Sequence, residues 1–79
     1  MLCLYVLETC PYCHSAINSL NKAKIKFVKK MVSPKYKDLY KKKHKHKTFP
    51  QLILKINNKK LLLGGSEVIP ELINMISNK

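Results

Sequence analysis

A chain of 79 residues has room for one small domain, which buries only about 60% of its unfolded surface, and not for a second core. Its formal charge of +12 comes from sixteen lysines without a single arginine, a field that attracts nucleic acid, acidic protein segments or anionic lipid. No stretch approaches the ~18 apolar residues of a membrane span, and residues 1–8 lack the charged and apolar regions of an export signal, so a cytoplasmic protein with no membrane role is expected.

Residues 1–7 (MLCLYVL) form a short apolar run rich in strand formers, with Cys3 inside it as an inert core thiol. Beyond the run Cys10-Pro11-Tyr12-Cys13, the residues Cys13, Ala16, Ile17, Leu20 and Ala23 recur at helical spacing. Cys10 therefore stands where a strand hands over to a helix. There the unpaired N–H groups of the first turn and the positive end of the helix dipole favour a thiolate. Pro11 suits the first helical position, where its missing N–H is not needed. The dipole supplies about 0.3–1 kcal/mol, and further stabilisation is expected from N–H···S bonds and from the Cys13 thiol donating to the Cys10 sulfur. Two thiols at this spacing can close and reopen a disulfide ring, which makes redox exchange the leading chemistry. CxxC alone also serves metal sites.

A second strand is expected over 24–32, with Ile25, Phe27 and Val28 inward. Ser33-Pro34 reads as an N-cap followed by proline at the first helical position, opening a helix that buries Tyr36, Leu39 and Tyr40 and ends near His44. Residues 49–56 form a third strand, Asn57-Asn58 a hairpin turn and 59–63 a fourth strand. Gly64-Gly65 breaks the chain before a last helix carrying Val68, Ile69, Leu72, Ile73 and Ile76. The order β-α-β-α-β-β-α gives an α/β fold, a four-stranded mixed sheet with three helices on its two faces, parallel at the first βαβ unit and antiparallel at the hairpin. Residues 35–47 hold seven lysines. A solvated face, docking of acidic proteins and nucleic-acid binding are all open there, although the absence of arginine forks, and of stacking aromatics beyond Tyr36 and Tyr40, argues against nucleic acid. An odd count of three cysteines argues against a structural disulfide framework.

This element order, together with ETCPYCH at 8–14, TFPQL at 48–52 and GGSE at 64–67, resembles a glutaredoxin of the thioredoxin fold. The resemblance is to the dithiol CPYC type and covers nearly all of a single domain, 1–79. It implies a glutathione-dependent thiol–disulfide oxidoreductase with Cys10 as nucleophile and Cys13 as resolving thiol. It further implies a cis Pro50, with the backbone of Phe49 facing the active cysteine and pairing with a substrate's cysteinyl backbone. The Gly64-Gly65-Ser66-Glu67 segment would present the N–H groups of Glu67 and Val68 to the γ-glutamyl carboxylate at a helix N-terminus. Lys37 would meet the glycyl carboxylate, and Tyr12 would flank the ligand. Glutathione is then the reductant, with no metal expected. The partners are glutathione and disulfide-containing proteins, ribonucleotide reductase among the family's, and the protein is expected to be a monomer without nucleic acid.

Four positions depart from the family pattern. Leu7 stands where a basic residue is often found, Phe49 replaces a smaller β-branched residue and narrows the groove, Val68 replaces an acidic residue, and Pro70 falls in the first turn of the last helix. Competing readings are a redoxin reduced by thioredoxin reductase, an iron–sulfur module, a zinc site from Cys10, Cys13, His44 and His46, and a CxxCH haem attachment at 10–14. All three histidines are otherwise expected at the surface.

Overall fold

Residues 1–77 are described by a computed structural model. Strand β1 (Leu2–Leu7) leads into helix α1 (Pro11–Lys22), and β2 (Val28–Val32) follows. A short 3-10 turn (Pro34–Tyr36) runs into α2 (Lys37–Lys43), then come β3 (Gln51–Ile56), β4 (Lys59–Gly64) and α3 (Val68–Ser77). The sheet order is β2-β1-β3-β4, with β1 parallel to β2 and antiparallel to β3, and β3 antiparallel to β4. The arrangement is the expected thioredoxin fold.

β1 is central and its apolar run faces both ways. Cys3 and Tyr5 share one face with Gln51 and Ile53, and the Tyr5 ring lies 5.4 Å from Tyr40 and 4.7 Å from His44, which places α2 on that side. Leu4, Val6 and Leu52 point the other way and are buried. With α2 committed to the first face, α1 and α3, which touch each other, cover the second. Each fully buried Leu or Ile, such as Leu4, Leu20, Leu52 and Ile53, stabilises the fold by about 1.5–3 kcal/mol.

Several expectations need correction. The second strand starts at Val28 rather than at 24, because Lys24 adopts φ 59° and closes α1. Its N–H donates to the Asn21 carbonyl and that of Ile25 to the Leu20 carbonyl, the paired bonds of a Schellman stop made here without glycine. Ile25 and Phe27 still pack against the core from the loop. Ser33 precedes the 3-10 turn but makes no capping bond with its side chain. That turn has three residues per revolution rather than 3.6, which shifts the phase of the next helix. Tyr36 and Leu39 consequently lie exposed, while Tyr40 and His44, one turn apart, face the sheet. His44 is thus buried, not a surface histidine. Ile76 is also more exposed than a core position requires. Gly64 ends β4 at φ 140°, where a Cβ would sit 2.7 Å from Val68 Cγ1, so only glycine lets α3 close on the strand.

Candidate active site

The end of β1, the start of α1 and the Thr48-Phe49-Pro50 turn meet at Cys10. This residue is the N-cap of α1, with extended backbone (φ −97°, ψ 113°), and its sulfur accepts the Cys13 N–H at 3.3 Å, as a Ser or Asp oxygen does at ordinary caps. Pro11 takes the first helical position. Across the site, the Phe49 carbonyl oxygen lies 3.8 Å from Cys10 Sγ and accepts from the thiol form. The Phe49-Pro50 peptide is cis. Below the partly exposed Cys10, the Cys13 thiol is buried, and its pKa is pushed from 9.0 up to about 12. Burial is the main cause, followed by its hydrogen bond to Cys10; the Leu7 backbone then pulls downward, and the Cys10 charge adds the smallest upward push. The inner sulfur therefore holds its proton.

Tyr12 is largely exposed on the first turn of α1. It borders a groove of about 110 Å³ that runs between Ser15 and Ser19 of α1 and Ser66 and Ile69 at the start of α3. Phe49 does not narrow that groove, because its side chain turns into the core and is only 7% exposed. The extra bulk is taken up by apolar packing. Lys37, the first residue of α2, is exposed, and no hydrogen bond or ion pair of the described residues ties it to the cysteines.

The start of α3 differs from expectation. The Val68 N–H donates to the Gly65 carbonyl at 3.2 Å and the Ile69 N–H to the Ser66 carbonyl at 3.4 Å, so Val68 is not a free donor for a carboxylate. Glu67 folds back instead, its Oε1 accepting the Gly65 N–H at 3.2 Å. The N–H groups of Glu67 itself and of Gly65, with His46 adding its field, hold the Glu67 carboxyl below its ordinary range against slight burial. A Cβ at Gly65 would meet His46 Nε2 at 2.8 Å and the Pro50 carbonyl at 3.3 Å. Glycine thus lets the loop before β3 and the start of α3 close together beside Pro50.

Two residues that sequence reasoning passed over organise this corner. Gln51 is fully buried and its amide NH₂ donates to the His46 carbonyl at 3.1 Å, which leaves its oxygen to accept His44 Nδ1–H at 2.7 Å. The only available signal was a glutamine directly after proline at the start of an apolar strand. His46, read earlier only as a surface residue or zinc ligand, sits beside Gly65 and Glu67, with Nε2 3.3 Å from Thr48 Oγ1. His14 Nε2–H donates to the Glu8 carbonyl at 3.1 Å and fastens the loop ahead of Cys10. Since the His44 ring is taken up by Gln51 and the two tyrosines, His44 does not join Cys10 and Cys13. Among the described residues, no group of three or more His, Cys, Asp or Glu is placed to hold a metal.

Comparison with known proteins bears on this geometry. Residues 2–59 match the family profile described as Glutaredoxin; that span includes both cysteines, Phe49 and Pro50 and ends before most of β4 and all of α3. No curated protein sequence matches. Among solved structures, Leishmania TDR1, described as a unique trimeric glutathione transferase, superposes with a TM-score of 0.73 at 25% identity. The match covers 94% of this chain and 17% of that one, so the chain spans about a sixth of its structural neighbour.

Proposed function

We propose that this chain, which belongs to the glutaredoxin family, is a dithiol oxidoreductase that uses glutathione to reduce protein disulfides and glutathione mixed disulfides. The observation carrying this reading is the Cys10 sulfur capping α1 on the Cys13 N–H beside the Phe49 carbonyl. The sulfur is partly exposed, faces helix-end donors and lies next to a backbone edge able to receive a substrate's cysteinyl segment.

In the first step the Cys10 thiolate attacks one sulfur of the substrate disulfide. An S–S bond forms, the substrate's S–S bond breaks, and the leaving thiolate takes a proton. Two of the causes that hold the proton on Cys13, the hydrogen bond to Cys10 and its charge, disappear once Cys10 is in a mixed disulfide. Cys13 can then lose its proton and attack Cys10 Sγ, expelling the second substrate thiol and closing the Cys10–Cys13 disulfide. Two glutathiones restore the dithiol and leave as glutathione disulfide, so two electrons pass from glutathione to substrate. Alternatively, a second glutathione resolves the mixed disulfide directly. Potentials of about −200 to −230 mV are typical of glutaredoxins, close to the cytosolic glutathione poise, and let the thiol ratio set the direction.

Tyr12, Lys37, Phe49, Pro50, Gly65 and Glu67 make up the glutathione groove in this reading, with Glu67 yielding its place on the Gly65 N–H to a substrate carboxylate while the Val68 N–H stays on the Gly65 carbonyl. Disulfide-containing proteins in the cytoplasm are the partners, ribonucleotide reductase among the candidates. One observation favours a second reading, reduction by thioredoxin reductase: the donors at the start of α3 are already engaged within the chain. The deciding experiment reduces one disulfide substrate with either glutathione and glutathione reductase or thioredoxin reductase. Turnover confined to the first system supports the proposal; turnover confined to the second replaces it.

A further inference from the structure

Four lysines from four separate elements converge on the α2 side of the sheet. Strand alternation puts Lys30 of β2, Lys55 of β3 and Lys60 of β4 on the same face as Tyr5; Lys30 is paired with Tyr5, and Lys55 lies directly opposite Lys60. α2, held to this face through Tyr40, adds Lys43. Like charges directly opposite one another destabilise a sheet, and their mutual repulsion registers at Lys60. Its pKa is lowered chiefly by the Lys43 charge, then by slight burial, then by Lys55 and Lys30.

Among the described residues nothing acidic answers this cluster. The four acidic side chains lie elsewhere: Glu8 follows β1, Asp38 is 4.0 Å from Lys41, Glu67 directly precedes α3 and Glu71 lies in its first turn. Next to the lysines is a cavity of about 180 Å³, where Ile53 and Leu62 lie between Lys43, Lys45 and Lys60. Sites for whole small molecules measure about 300–1,000 Å³, so this one suits a single side chain. The chain has no arginine to fork onto phosphate or guanine. The nearby Tyr40 ring is packed against Tyr5 and His44 and is not free to stack on a base.

We propose that this face docks an acidic peptide segment of a partner protein, with carboxylates over Lys30, Lys43, Lys55 and Lys60 and one apolar side chain in the cavity beside Ile53 and Leu62. An anionic strand laid across the lysines relieves their repulsion, and the apolar anchor sets its register. The surface is made without Cys10 or Cys13, so the proposal stands independently of the redox reading.

The test is fluorescence anisotropy of a labelled nonapeptide of Glu and Asp with a central Leu, titrated with the whole protein at low and high salt. Binding that fades with salt is expected. The double charge reversal Lys43→Glu/Lys60→Glu should weaken it about tenfold, equivalent to ~1.4 kcal/mol. The milder Lys43→Gln/Lys60→Gln pair serves if the reversal unfolds the chain by circular dichroism, and should weaken it about threefold. Lys22→Glu/Lys26→Glu makes the same change in total charge away from the face and should leave affinity within about twofold, since screening confines each lysine to roughly a Debye length. Replacing the central Leu by Gly should cost about fivefold. Equal losses from both reversals would reduce the effect to net charge and overturn the proposal, as would an unchanged affinity for the Gly peptide. A single-stranded oligonucleotide of equal charge binding as tightly as the Leu peptide would assign the face to nucleic acid instead.

Discussion

Gln51→Leu probes the corner that holds the Pro50 turn in place. Leucine fills much of the same volume but removes the acceptor of His44 Nδ1–H and the donor to the His46 carbonyl. Among the described residues His44 Nε2 already lacks a partner, so the substitution leaves the buried imidazole with no hydrogen bond to them from either nitrogen. Each buried polar group left unpaired costs about 1–3 kcal/mol, and two such groups come to about 2–6 kcal/mol. A domain of this length has on the order of 4–12 kcal/mol in all, so the variant should lie close to its folding threshold, with a Tm lower by roughly 10–50 °C. The chain has no tryptophan, so urea unfolding followed by far-ultraviolet circular dichroism is the appropriate assay. The midpoint should fall while the m-value stays constant. Adding His44→Phe to Gln51→Leu removes the stranded imidazole and should restore at least about 1 kcal/mol, because apolar replacement of both partners costs less than orphaning one. A loss under ~1 kcal/mol in the single variant, or strict additivity in the double, would refute the argument that this bond organises the corner.

Four further outcomes are expected. Cys10→Ser should abolish exchange with every disulfide, whereas Cys13→Ser should keep deglutathionylation and lose protein-disulfide reduction, measured side by side with the two substrate types. The Cys13 thiol holds its proton more tightly folded than unfolded, so the stability it contributes is complete below pH ~9 and declines as pH rises toward about 12; Tm measured under reducing conditions should fall across this range less steeply in Cys13→Ser. Glu67→Ser removes the side chain that accepts the Gly65 N–H and should lower the glutathione KM about fivefold, the equivalent of one exchanged hydrogen bond of ~1 kcal/mol, with an unchanged or higher KM contradicting the competition. Lys37→Ala should raise the glutathione KM about twofold at low salt and not at high salt; no change at low salt removes Lys37 from the groove.

Periodicity made the architecture legible because it reports on burial, and burial is what the elements share. The apolar run of β1, the Cys13-Ala16-Leu20 stripe and the Asn57-Asn58 turn each appear where the pattern put them. Boundaries failed where a local backbone choice overrode the pattern. Lys24 takes a left-handed conformation that sequence preference assigns to glycine or asparagine, and the 3-10 turn at Pro34–Tyr36 changes the phase of α2. The placement of Cys10 and Cys13 at a strand–helix junction was readable because it depends on local spacing. His44, His46 and Gln51 were not, since each acquires its role from a partner across a turn. A buried glutamine and a buried histidine look like solvated residues until their mutual bond at 2.7 Å is seen.

The departures from the family pattern fall unevenly across the candidate site, and this bears on how the proposed enzyme should behave. Of the three that bear on the groove, Phe49 turns its bulk into the core while its carbonyl stays beside Cys10, so the geometry on which the proposed exchange rests is intact. Leu7 and Val68 remove charges from the part proposed to hold glutathione, and Glu67 fills one of the remaining backbone donors with its own carboxylate. In the proposed reading, sulfur chemistry and substrate grip are thus separable. Variants at Glu67 and Lys37 should move KM and leave kcat almost untouched, as expected of interactions made equally in ground and transition states, whereas variants at Cys10 should abolish kcat itself. A Glu67 variant that altered kcat at saturating glutathione would show that the start of α3 acts on the sulfur chemistry directly, through the Pro50 turn that Gly65 approaches.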